Sequence, residues 1–84
     1  MIVFVSTPQH AYALEQLLDP SLGVAARSMG YVEVMTAGAL PRATYVFTDM
    51  DRLPLRNLRE VALRWRQLRD AGMRVLNDPA RMLS

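Results

Sequence analysis

The sequence predicts an α/β domain: a small open, mostly parallel sheet of four or five strands with flanking helices. Three observations carry this. The chain opens on five consecutive apolar residues, Met1-Ile2-Val3-Phe4-Val5, the pattern of a strand covered on both faces. A second run, Thr44-Tyr45-Val46-Phe47-Thr48, is β-branched and aromatic and closes on the polar Asp49-Met50-Asp51. Between Pro54 and Gly72 the apolar residues shift to helical spacing, and a third short run, Met73-Arg74-Val75-Leu76, follows. A helix between two strands carries the chain back, so the strands run parallel.

The bulk properties bound the rest. Eighty-four residues make one domain, and a chain of that size buries only about 60 to 65% of the surface its unfolded form exposes. At 51% hydrophobic and 21% charged it lies in the globular range. The absence of cysteine excludes disulfides, thiolate metal sites and cysteine nucleophiles together. No apolar run approaches the roughly 18 residues that span a bilayer, and Met1 to Val5 lacks the basic flank of a signal peptide, so the expected location is cytoplasmic. All ten basic residues are arginine. Without lysine the chain cannot complete a mechanism that needs a lysine to cradle phosphate, form a Schiff base or act as a base. A net charge of +2 is too small to argue for nucleic acid.

Taken in order, Ser6-Thr7-Pro8 after the first strand is a helix opening, and Ala11, Leu14, Leu17 and Leu18 form the inward face of a helix reaching about Asp19. Its amino end would lie beside the carboxyl end of the first strand, where free backbone amides can receive an anion. The glycine-rich fingerprint that would make such a site specific is absent, so the segment reads as an ordinary connection. Gly23-Val24-Ala25-Ala26-Arg27 is a candidate second strand and Tyr31-Val32-Glu33-Val34-Met35 a better one, with Met29-Gly30 as the turn between them and Thr36 to Pro41 as a loop. In the long helix Leu55, Leu58, Val61, Ala62, Trp65, Leu68 and Ala71 form one stripe, the expected core. The other side carries Arg56, Arg59, Arg66 and Asp70; Glu60 with Arg64, and Arg66 with Asp70, have the spacing of weak surface pairs. Gly72 is the expected left-handed terminator. Asn77-Asp78-Pro79-Ala80 then opens another helix, with Asp78 as cap and Pro79 at the first helical position.

Two carboxylates at a strand's carboxyl end in an α/β fold commonly face a ligand crevice. Asp49-Met50-Asp51 accordingly resembles the first motif of haloacid-dehalogenase-type phosphatases, in which the first Asp is the nucleophile, the second an acid/base, and magnesium binds between them. Arg52 stands where that motif has glycine, Leu53 where it has threonine or valine, and no lysine exists to complete it. The competing structural reading has Asp51 starting the next helix and Asp49 as a solvated turn residue. His10, the lone histidine, offers neither a metal cluster nor a triad, and no hydroxyl has a paired base in the sequence. The six methionines read as core filling. Arg52, Arg56, Arg59 and Arg66 could edge a phosphate-gripping strip, but the interleaved acids Glu60 and Asp70 make a solvated helix face the simpler reading.

From Thr44 onward, Tyr45-Val46-Phe47-Thr48-Asp49-Met50-Asp51-Arg52-Leu53, the amphipathic helix, and Gly72-Met73-Arg74-Val75-Leu76-Asn77-Asp78-Pro79-Ala80-Arg81 resemble the amino-terminal region of ATP-grasp proteins of the glutathione synthetase and ribosomal-protein glutamate ligase types. The resemblance covers about half the chain, and Val75-Leu76-Asn77-Asp78-Pro79 is its most specific piece. It implies a Rossmann-like half of the pre-ATP-grasp type, the amino-terminal part of a longer enzyme that phosphorylates a carboxylate with ATP and joins the acyl phosphate to an amine or thiol. The lysines and magnesium-binding residues of that superfamily lie downstream. This segment would therefore hold no catalytic residue, metal or cofactor of its own, ATP and magnesium being bound by the missing downstream ATP-grasp domains. The expected role is a scaffold and substrate-side wall, with Thr48, Asp49, Asp51, Arg52, Asn77 and Asp78 lining the cleft edge of the sheet. The alternatives are a stand-alone interaction domain that forms a homodimer and, third, an arginine-rich nucleic-acid binder.

Overall fold

The computed structural model describes residues 1–8 and 26–83. Its sheet has four strands, all parallel, in the order β2-β1-β3-β4. They are β1 (Ile2–Ser6), β2 (Ala26–Gly30), β3 (Thr44–Phe47) and β4 (Val75–Leu76). Among the described residues two complete helices accompany them, α1 (Tyr31–Thr36) and α2 (Leu55–Asp70), and 3-10 turns occupy Met50–Arg52 and Pro79–Leu83. The small open parallel sheet expected from the sequence is the fold. The expected helix ending near Asp19, His10 and the start of the candidate strand at Gly23 lie outside the described residues. Among the described residues no helix is long and apolar enough to cross a membrane.

One face of the sheet makes the core. Val3 and Val5 in β1 lie level with Tyr45 and Phe47 in β3, and all four are fully buried. Against them pack Val61, Trp65 and Leu68 of α2 and Tyr31 and Val34 of α1, with Tyr31 meeting Phe47 edge to face at 6.0 Å. The period of three and four in α2 thus does what it promised: Leu58, Val61, Ala62, Trp65 and Leu68 are buried. The stripe's ends do not follow, since Leu55 at the first helical position is 58% exposed and Ala71 at the C-cap is exposed. Gly72 takes φ +90°, the left-handed terminator, and its N–H donates to Arg69 O at 2.9 Å.

The stretch from Gly23 to Met35 needs correction. The second strand is Ala26–Gly30, so Met29 is a buried strand residue and not a turn. Tyr31 to Met35 is not a strand but helix α1. Its burial shows why: Tyr31 and Val34 are buried, three apart, while Val32 between them is 77% exposed. A run of five apolar or β-prone residues is too short for period alone to separate strand from helix. The place beside β1 is already taken by β2, and the helix lets the chain pass over β1 to reach β3 on the other side. Arg64 of α2 secures the end of α1, its Nε donating to Val34 O at 3.0 Å and its Nη2 to Ala37 O at 2.8 Å. Among the described residues the expected Glu60 to Arg64 pair is not formed, and Asp70 pairs with Arg69 and not with Arg66.

Candidate functional site

In a parallel sheet all strands end at one edge, and the chain leaves β1 toward β2 on one side while β3 lies on the other. That divergence marks the position, between the ends of β1 and β3, at which open α/β sheets commonly form their ligand crevice. The residues that follow the strands meet there. Thr48, just past β3, reaches back to β1: its N–H donates to Val5 O at 2.9 Å and its Oγ1 to the same oxygen at 2.8 Å. Asp49 crosses the gap. Its Oδ1 accepts the Thr7 N–H at 3.2 Å and its Oδ2 accepts the Thr7 hydroxyl, while the Thr48 hydroxyl lies 3.2 Å from Oδ1. To make this bridge Asp49 sits in the left-handed region, φ 41° and ψ 37°, a conformation Asp tolerates better than most residues.

Asn77 ties β4 to the same edge, its Nδ2 donating to Phe47 O at 3.0 Å with the backbone at φ 63°. Asp78 caps the turn that follows: its Oδ1 accepts the Ala80 N–H at 2.9 Å, the role its place before Pro79 predicts. The element it opens is a 3-10 turn over Pro79–Leu83. From α1, Tyr31 donates its hydroxyl to Thr48 O at 2.7 Å. Burial first, and then the nearby Asp49 charge, push the Tyr31 phenol well above its ordinary range, so it serves as a neutral donor.

Of the six residues expected at the cleft edge, Thr48, Asp49, Asn77 and Asp78 are thus held at the ends of adjacent strands. Asp51 and Arg52 are not part of this network: they lie on the 3-10 turn, exposed, with no side-chain hydrogen bond among the described residues. Two structural readings also change. Asp49 is not a solvated turn residue, because both its oxygens accept from Thr7. Asp51 does not start the long helix, whose N-cap position is Pro54.

Thr7 and Tyr31 are members of the network that sequence reasoning did not assign. Thr7 carried a weak signal, a hydroxyl following an apolar strand and preceding proline; Tyr31 carried none, because its partner is a carbonyl reached only through the fold. A third polar group nearby, the Ser6 hydroxyl at the end of β1, is fully buried and has no hydrogen-bond partner among the described residues.

The electrostatics restrict what the crevice can take. The Thr7 amide, a backbone donor at the end of β1 that an anion could use, is occupied by a carboxylate of the chain itself. A phosphate arriving there meets a filled donor and a like charge. No group of three or more His, Asp or Glu side chains among the described residues is arranged to hold a metal ion. What the edge offers is a cross-linked polar wall. Compared with family models, with curated proteins and with solved structures, the chain matches none.

Proposed function

We propose that this chain is the amino-terminal scaffold and substrate-side domain of an ATP-grasp-type, carboxylate-amine or carboxylate-thiol ligase, and is not catalytic by itself. The observation that carries the reading is the cross-linked edge: Thr48, Asp49, Asn77 and Asp78 are all fastened by hydrogen bonds just past the ends of the parallel strands β3 and β4. Such a wall is rigid and polar, and its own carboxylate occupies the amide that would bind phosphate. It suits the substrate side of a cleft whose nucleotide is held elsewhere. The resemblance of Thr44 to Arg81 to the ATP-grasp amino-terminal region names the enzyme class. Asp51 and Arg52, exposed beside the wall, are the side chains with freedom to reach a substrate carboxylate or amine. In this reading ATP and magnesium belong to the downstream domains, and the protein works in the cytoplasm, where ATP is supplied.

Two measurements test this. Isothermal calorimetry of the 84-residue chain with ATP and magnesium is expected to show no micromolar binding; a micromolar isotherm contradicts the assignment. Reading the coding sequence onward from Ser84 is expected to show an open frame leading into lysine-bearing segments, and a stop codon directly after Ser84 sinks it.

A further inference from the structure

The outward side of α2 has a pattern the core does not explain. At about 100° per residue, Arg56, Glu60, Leu63, Arg66 and Asp70 fall on one face, opposite Val61 and Trp65, and all five are exposed. Leu63, at its centre, is 58% exposed. It borders a groove of about 290 Å³ lined by Met35, Glu60, Leu63, Arg64 and Gln67. The four lining residues on α2 stand at i, i+3, i+4 and i+7, the diamond that receives one side chain of a facing helix in knobs-into-holes packing. Met35 of α1 closes its side, and Arg64 is fixed in place by its bonds to Val34 O and Ala37 O.

The charges on this face are complementary to themselves in one orientation. Laid antiparallel across a second copy with Leu63 at the crossing, Glu60 meets the partner's Arg66 and Arg56 meets the partner's Asp70, and the two-fold axis repeats both pairs. A parallel arrangement opposes like to like. Within one helix Glu60 and Arg66 are six residues and about 120° apart, too far round to pair. Neither they nor Arg56 has a hydrogen bond or ion pair among the described residues. Asp70 has a 3.3 Å contact to Arg69, but both side chains are largely exposed and free to exchange partners.

We propose that this face is a homodimer interface: two copies associate through antiparallel α2 helices, each Leu63 seated in the partner's groove and flanked by Glu60–Arg66 and Arg56–Asp70 pairs. The contact is isologous and closes on itself. A single helix pair buries little surface, so the dimer is a weak one, with a midpoint in the micromolar range or above. The inference does not depend on the ligase reading, because α2's outward face takes no part in the β1/β3 crevice.

Sedimentation equilibrium over a concentration series tests it. A monomer–dimer equilibrium weakened several-fold by high salt is expected. E60R and R66E should each weaken association about tenfold, and the combined E60R/R66E variant should restore it, because the reversed charges still meet across the axis. L63E should abolish the dimer. All these side chains are exposed, so each variant is expected to fold, which circular dichroism checks. A chain that stays monomeric at every concentration overturns the proposal, whether or not some other protein covers the face. So does a dimer indifferent to L63E, or a double variant no better than the singles.

Discussion

Asp49 shows how one side chain can join strands that the sequence keeps far apart. Its carboxylate takes two donors from Thr7, 42 positions away, at the cost of a left-handed backbone. Hydrogen bonds to a charged acceptor contribute about 1.5–3 kcal/mol each way they are measured. Asp49→Ala removes the acceptor and the short polar side chain that makes the left-handed backbone tolerable, so a loss of about 2–3 kcal/mol is expected in urea titration. Asp49→Asn keeps one acceptor and tolerates the backbone, and should lose about half of that. A loss in the alanine variant below about 0.5 kcal/mol would show that the Thr7 bonds add no net stability. Asp49 stood out in the sequence by its place at the end of a strand, and Asp78 as a cap, because cap chemistry is local. The clamp on Thr7 was not legible, since nothing near Asp49 in sequence names its partner.

At the scale of elements, α2 and α1 make a contrast. The long helix was readable almost to the residue, because its apolar stripe repeats often enough for the period to be unambiguous and Gly72 marks its end. Trp65 is the largest side chain in that stripe, buried among Val3, Val5 and Phe47's cluster with its indole N–H 3.4 Å from Leu76 O. Trp65→Ala is expected to cost about 3–5 kcal/mol by leaving a cavity, whereas Leu63→Ala, on the opposite side, should change monomer stability by no more than about 0.5 kcal/mol. Equal effects of the two would mean the burial pattern of α2 is misassigned. Gly72→Ala should cost about 1 kcal/mol or more through its backbone: an added β-carbon would sit 3.5 Å from Arg42 Nη2, an ordinary contact, so crowding contributes nothing. Helix α1 had only one turn and a half in which to declare itself, and alternation and helical spacing fit its residues about equally.

For the whole molecule, the buried phenols bear on stability at alkaline pH. Burial raises the Tyr31 phenol first and the Asp49 charge raises it further; Tyr45 is also raised, by burial, with Arg27 and Arg64 pulling the other way. An unfolded tyrosine ionises near pH 10, while the folded chain holds its phenol protons to higher pH. Their stabilising contribution is therefore complete below about pH 10 and lost as pH rises beyond it. Melting temperature should fall steeply above about pH 10, and Tyr31→Phe, which has no proton to lose, should flatten that fall while lowering stability by about 1 kcal/mol at neutral pH. An alkaline limb as steep in the variant as in the parent would remove Tyr31 from this account.

The sequence by itself determined that this is an α/β chain with an apolar opening strand, a second strand ending at an acidic turn, one long amphipathic helix closed by glycine, and a short strand followed by a capped turn. Each of these is written in residues within a few positions of one another, as period, cap or terminator. Only the tertiary structure decided that Ala26–Gly30 and not Tyr31–Met35 pairs with β1, that the strand order turns at β1 and β3, and that Asp49, Thr7, Tyr31 and Asn77 meet there. The physical reason is separation. Which strand lies beside which, and which carbonyl a distant hydroxyl finds, depends on burying Val3, Val5, Tyr45 and Phe47 on one face under α2, and no local rule contains that choice.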